Sequence, residues 1–112
     1  IESAQIDWGS HDNDPMHMNS EMIEFDNTIK TVFDFIDNDD NTLVVITADH
    51  ETGGAAITGG DLLKSKVKNK YVYGSHTATM VPVFSSGYKA RNFKGVYDNT
   101  EIFNKLFEIV NQ

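Results

Sequence analysis

Apolar and polar positions along the chain alternate between a helical and an extended rhythm. From Ser20 to Asp37 the residues Ile23, Phe25, Ile29, Val32, Phe33 and Ile36 recur mostly at intervals of three and four, which predicts an amphipathic helix with one face on a sheet. Asp39-Asp40-Asn41 supplies turn chemistry, and Leu43 to Thr47 is a continuous apolar run. Such a run predicts a strand covered on both faces, the habit of a parallel sheet. Helix followed by strand is half of a βαβ unit, whose earlier strand is expected to end near Glu2. Beyond Gly53-Gly54 the rhythm weakens: Ala55-Ala56-Ile57 reads as a short strand, Gly59-Gly60 as a turn, and Leu62 to Lys70 as a basic connection. Tyr71-Val72-Tyr73 and Met80 to Phe84 are strand-like. Asp98 stands three residues before Glu101, resembling a capping box, and Ile102, Phe103, Leu106, Phe107, Ile109 and Val110 then predict a docked helix. The fold class is α/β.

Composition changes this picture little. The 112 residues carry a formal charge of -8, which argues against non-specific nucleic-acid binding, since that needs basic patches. No cysteine is present, so any redox compartment is permitted. No apolar run approaches the ~20 residues of a membrane span. The chain begins with Ile1 and opens inside a motif, as expected of a piece of a longer protein cut near a strand end.

The chemistry lies in two clusters. Thr47-Ala48-Asp49-His50-Glu51-Thr52-Gly53-Gly54 follows the apolar strand directly. Strands of α/β sheets present ligand-binding groups where they end, and adjacent Asp and His side chains there can grip a divalent metal. Upstream, Asp7 and His11 are four residues apart, so on a helical turn they share a face and can bind one cation together. Glu2 lies five before Asp7 and would point elsewhere. Alone, each histidine is more often a surface or hydrogen-bonded residue than a ligand; order and spacing together reverse those odds.

Four segments in sequence, namely Glu2 to Asp14 with Ile6-Asp7-Trp8 at its centre, Thr47 to Gly54, Ser75-His76-Thr77 before Val81-Pro82-Val83, and Asp98-Asn99-Thr100-Glu101-Ile102, resemble the C-terminal part of an alkaline phosphatase. The resemblance covers almost the whole chain and thins across a variable connection at 58–71. One departure is Ser3-Ala4, where many members have Gly-Ser. The resemblance implies a single C-terminal fragment of the catalytic domain spanning 1–112, part of a three-layer sandwich with a mostly parallel central sheet and helices on both faces. It implies one zinc held by Asp7, His11 and His76, a second held by Asp49 and His50, and a magnesium ion at Glu2. It further implies phosphate-monoester hydrolysis by a two-zinc, phosphoserine-type mechanism, a periplasmic or secreted location and a possible homodimer.

The family's nucleophilic serine and phosphate-binding arginine have no matching position. No serine of this chain stands in an Asp-Ser-Ala turn or on a strand-to-helix nucleophile turn, and Arg91 lies outside the motifs. The chain alone is therefore expected to be inactive. Two alternatives stay open: a non-catalytic zinc-binding module, and a related metal-dependent phosphomutase or phosphodiesterase. Glu51-Thr52-Gly53-Gly54 and the Asp98 segment favour alkaline phosphatase. His17 reads as an exposed first-turn residue, Arg91 as a solvated loop residue and Trp8 as a packing residue.

Overall fold

The computed structural model describes residues 1–111. They form two compact units, one of Ile1–Lys30 with His50–Met80, the other of Thr31–Asp49 with the chain from Val81 on.

The first unit opens with helix α1 (Ala4–His11) and continues into α2 (Pro15–Ile36), a helix whose last residues belong to the second unit. The start of α2 is built by Asp14, whose carboxylate accepts from the backbone N–H groups of Met16 at 2.9 Å and His17 at 3.1 Å. Pro15 in the first turn costs no hydrogen bond because its N–H would be unsatisfied there anyway. The sharp corner between α1 and α2 depends on Gly9, where a Cβ would lie 2.8 Å from the Met18 backbone nitrogen. Strand β2 (Glu51–Thr52) pairs antiparallel with β5 (His76–Thr77), Thr52 facing His76 and Glu51 facing Thr77. Between them β3 (Ala56–Asp61) and β4 (Lys66–Lys70) form an antiparallel hairpin.

That hairpin corrects two expectations. Gly59 and Gly60 are not the turn but lie inside β3, where the register shifts between Ile57 and Gly59; glycine in a strand marks a bulge as readily as a bend. The reversal comes later, at a 3-10 turn over Leu62–Lys64 whose first N–H groups bond to the Asp61 carboxylate, with Ser65 in the left-handed region at φ 48°. Tyr71 to Tyr73 is not a strand either. The N–H groups of Val72 and Tyr73 both converge on the Gly53 carbonyl, at 3.0 and 3.1 Å.

In the second unit β1 (Leu43–Thr47) pairs with β6 (Val83–Gly87) in register from Leu43 against Gly87 to Thr47 against Val83. The pair is antiparallel, and no parallel pair occurs among the described residues. Four of the five β1 residues are half-buried rather than enclosed on both faces. An apolar run reports that side chains prefer cover; it carries no information on the direction of the neighbouring strand. Strand β6 starts at Val83, after Pro82, and not at Met80. A 3-10 turn at Ala90–Phe93 buries Phe93, 3% exposed, and helix α3 (Glu101–Val110) follows. Asp98 precedes α3 as expected, yet without a capping box: its carboxylate accepts from the N–H and hydroxyl of Thr100, while Glu101 turns to Asn104. Neither α2 nor α3 has a fully buried residue; Phe25, Ile29, Val32 and Ile36 of the first and Ile102 and Ile109 of the second are half-buried. Ile1–Ser3 form no strand, and Trp8 is 56% exposed instead of packed.

Candidate metal centre

The first unit gathers four of the six expected ligands. Helix α1 presents Asp7 and His11 on one face, with His11 Nε2 3.5 Å from Asp7 Oδ2. Pairing of β5 with β2 delivers His76, whose Nε2 lies 3.0 Å from His11 Nε2 and 3.7 Å from Asp7 Oδ1. Zinc bonds of about 2.0–2.1 Å in a tetrahedron hold ligand atoms roughly 3.3 Å apart, and the three observed separations bracket that value. His50 joins the same cluster. Its ring stacks on His76 with centroids 3.5 Å apart, and Asp7, His50 and His76 each bring a donor atom within 4.8 Å of the others. The family resemblance assigns His50 to a second zinc with Asp49.

Hydrogen bonds orient the rings. Nδ1 of His11 lies 3.0 Å from the Gly74 carbonyl. A carbonyl only accepts, so His11 Nδ1 is the donor there, and it is Nε2 that faces His76 and Asp7. Two imidazole nitrogens and a carboxylate at such distances can share a cation, and without one a proton on either ring nitrogen can bridge His11 and His76. Each of these side chains keeps some solvent access, 34% for Asp7 and His11 and 47% for His76.

Beneath the cluster, Glu51 ties the two short strands together. Its carboxylate accepts from the Thr77 hydroxyl and from the N–H groups of Gly54 and Ala55. Burial pushes the Glu51 carboxyl up, but these hydrogen bonds, led by Thr77, together with the neighbouring His50 outweigh it and hold the group below the usual carboxylate range. Thr52, 8% exposed, donates to Asp7 Oδ1 at 2.5 Å and lies 3.2 Å from His50 Nδ1. Sequence spacing alone does not link Thr52 with Asp7, since 45 residues separate them.

The remaining expected ligands stand apart from this description. Asp49 ends a segment of the second unit, and Glu2 is exposed at the start of the chain. His17 is half-buried in the first turn of α2, and Arg91 is exposed in the 3-10 turn before Phe93.

A helix-borne Asp/His pair with His76 from β5 and His50 just before β2 forms a candidate metal cluster, and comparison with known proteins gives the family. The family model of alkaline phosphatase matches residues 1–72. Alkaline phosphatase 3 of Bacillus subtilis is 51% identical over 57 residues, 51% of this chain and 12% of that protein. Alkaline phosphatase of Escherichia coli K12 is 26% identical over 119 residues, 92% of this chain and 25% of that protein. The solved alkaline phosphatase of the Antarctic bacterium TAB5 superposes with a TM-score of 0.88 at 37% identity, covering 98% of this chain and 34% of that one. One mutant of that enzyme was solved with Mg bound in the M3 site. The chain belongs to the alkaline phosphatase family. It spans about a third of the TAB5 chain.

Proposed function

We propose that these residues are the C-terminal, metal-ligand-bearing portion of an alkaline phosphatase that hydrolyses phosphate monoesters with two zinc ions and one magnesium ion. The observation that carries the reading is the convergence of Asp7, His11 and His76 at separations suited to one zinc. Three protein ligands with a position left open is the pattern of a catalytic zinc, whereas structural sites are usually closed by four. Asp49 and His50 would serve the second zinc and Glu2 the magnesium. Metal held by these residues would supply an activated oxygen nucleophile and positive charge for the oxygens of a phosphoryl transfer. The residues of this chain contribute ligand charge, orientation and neutral imidazole, while the phosphorylated serine and the phosphate-clamping arginine would come from elsewhere in the intact enzyme.

Several finer features belong to this reading. The 112 residues form one fragment of the catalytic domain, with 58–71 as its variable connection, and the parallel strands of a three-layer sandwich flank β1 in the intact protein. Family resemblance favours a periplasmic or secreted enzyme, and a homodimer or self-association of the chain are the two assemblies to be distinguished. Among the described residues no helix is long and apolar enough to cross a membrane. The competing module reading keeps the metal and loses the turnover.

Calorimetric titration of the chain with zinc tests the assignment. One tight site through Asp7, His11 and His76 and a second, weaker one at His50 and Asp49 are expected. Both should weaken in acid, because only neutral histidine binds metal. A His76→Ala variant that kept the tight site, or two equally tight sites in the unsubstituted chain, would contradict it.

A further inference from the structure

The buried Thr52 hydroxyl touches one ligand from each expected zinc site. Asp7 belongs to the first and His50 to the second, and Thr52 Oγ1 lies 2.5 Å from the former's carboxylate and 3.2 Å from the latter's Nδ1. An ionised carboxylate has no proton to give, so the single hydroxyl proton goes to Asp7. The hydroxyl then offers only lone pairs to His50, which must donate from Nδ1. That fixes the His50 tautomer, with Nε2 as the unprotonated nitrogen. Helix α1 and strand β2 are locked at the same point, since Asp7 rides on one and Thr52 on the other.

We propose that Thr52 is a positioning residue that sets the carboxylate of Asp7 and the tautomer of His50 with one hydroxyl, so that ligands of the two zinc sites are oriented together. The inference rests on the metal reading above and concerns a residue that binds no metal itself. Its chemistry is specific to a hydroxyl: valine has the same shape and cannot donate, whereas serine can.

Two measurements on the chain decide it. In the metal-free chain at neutral pH, imidazole 15N shifts should show His50 protonated on Nδ1, with His11 as an internal control held by the Gly74 carbonyl. Thr52→Val should release the His50 tautomer, leave His11 unchanged and weaken zinc binding by about 10- to 100-fold, the usual cost of losing such an outer partner. Thr52→Ser should restore both. An Nε2-protonated His50 in the unsubstituted chain would overturn the proposal even if Thr52→Val failed to fold, as would a Thr52→Ser variant as weak as Thr52→Val. Zinc binding indifferent to Thr52→Val would overturn this inference alone. No zinc binding by the unsubstituted chain would overturn the metal reading and this inference with it.

Discussion

Gly53 shows how a single backbone position governs the metal cluster. It adopts φ +88°, a conformation that residues with a Cβ rarely take, and a Cβ there would lie 2.7 Å from the Tyr71 ring and 3.0 Å from the Ser10 carbonyl. Its N–H bonds to the Ser75 carbonyl at 3.0 Å, next to His76, while its own carbonyl gathers Val72 and Tyr73. Gly53→Ala is therefore expected to cost about 1–3 kcal/mol through backbone strain and to displace His76 from Asp7. Thermal unfolding and zinc titration of the variant should both register the change. A substitution that lowered the melting temperature but left zinc affinity intact would show that β5 is positioned by its other contacts.

At the scale of elements, two turns depend on carboxylates, one half-buried and one exposed. Asp39 accepts from the Thr42 hydroxyl at 2.6 Å and the Asn41 N–H at 2.9 Å between α2 and β1. Asp98 accepts from the Thr100 N–H at 3.0 Å and hydroxyl at 2.7 Å before α3. The Thr42 hydroxyl and the Asn41 N–H hold the first below the ordinary value of 3.8, and the Thr100 N–H and hydroxyl do the same for the second. Each group thus binds its proton less readily folded than unfolded. Its stabilisation is complete above 3.8 and is lost as the pH falls through the lower folded value. Acid titration followed by amide exchange should show the 39–42 turn and the start of α3 loosening in that window, and Asp98→Asn should flatten the response at α3 alone. Loosening centred above 3.8 would assign the acid response to other groups.

At the scale of the chain, apolar surface exceeds what the fold covers. Phe93 is the single buried hydrophobic among the described residues, while Ile23, Phe35, Phe103, Phe107 and Val110 range from 58% to 81% exposed. Burying one such side chain is worth roughly 1.5–3 kcal/mol, so open faces on α2 and α3 leave much of the available stabilisation unused. Strand β1 has one partner among the described residues and presents its other edge. The isolated chain is accordingly expected to self-associate or to be marginally stable, although its charge of -8 favours solubility. Light scattering on dilute protein and hydrogen exchange across Leu43–Thr47 check this. A strict monomer with strong protection throughout β1 would show that the fold is self-contained.

The sequence by itself determined the helices and the β1 strand and pointed to the candidate ligands, because periodicity, turn residues and donor chemistry are local properties. It placed α2 through Ile23 to Ile36 and α3 through Ile102 to Val110, and it named Asp7, His11 and His76 as one set. The i, i+4 spacing of the first two could be read directly; His76 came by resemblance, since 65 residues separate it from His11. Tertiary structure alone decided the rest. Strand direction is set by which backbone meets which, and side-chain pattern does not encode it, so β1 met β6 antiparallel. The pairing of Thr52 with His76 carried His50 onto the His76 ring and set the Thr52 hydroxyl between Asp7 and His50. Hydrogen-bond partners distant in sequence leave no periodic trace, which is why the Gly74 carbonyl and Thr52 emerged only when the strands were brought together.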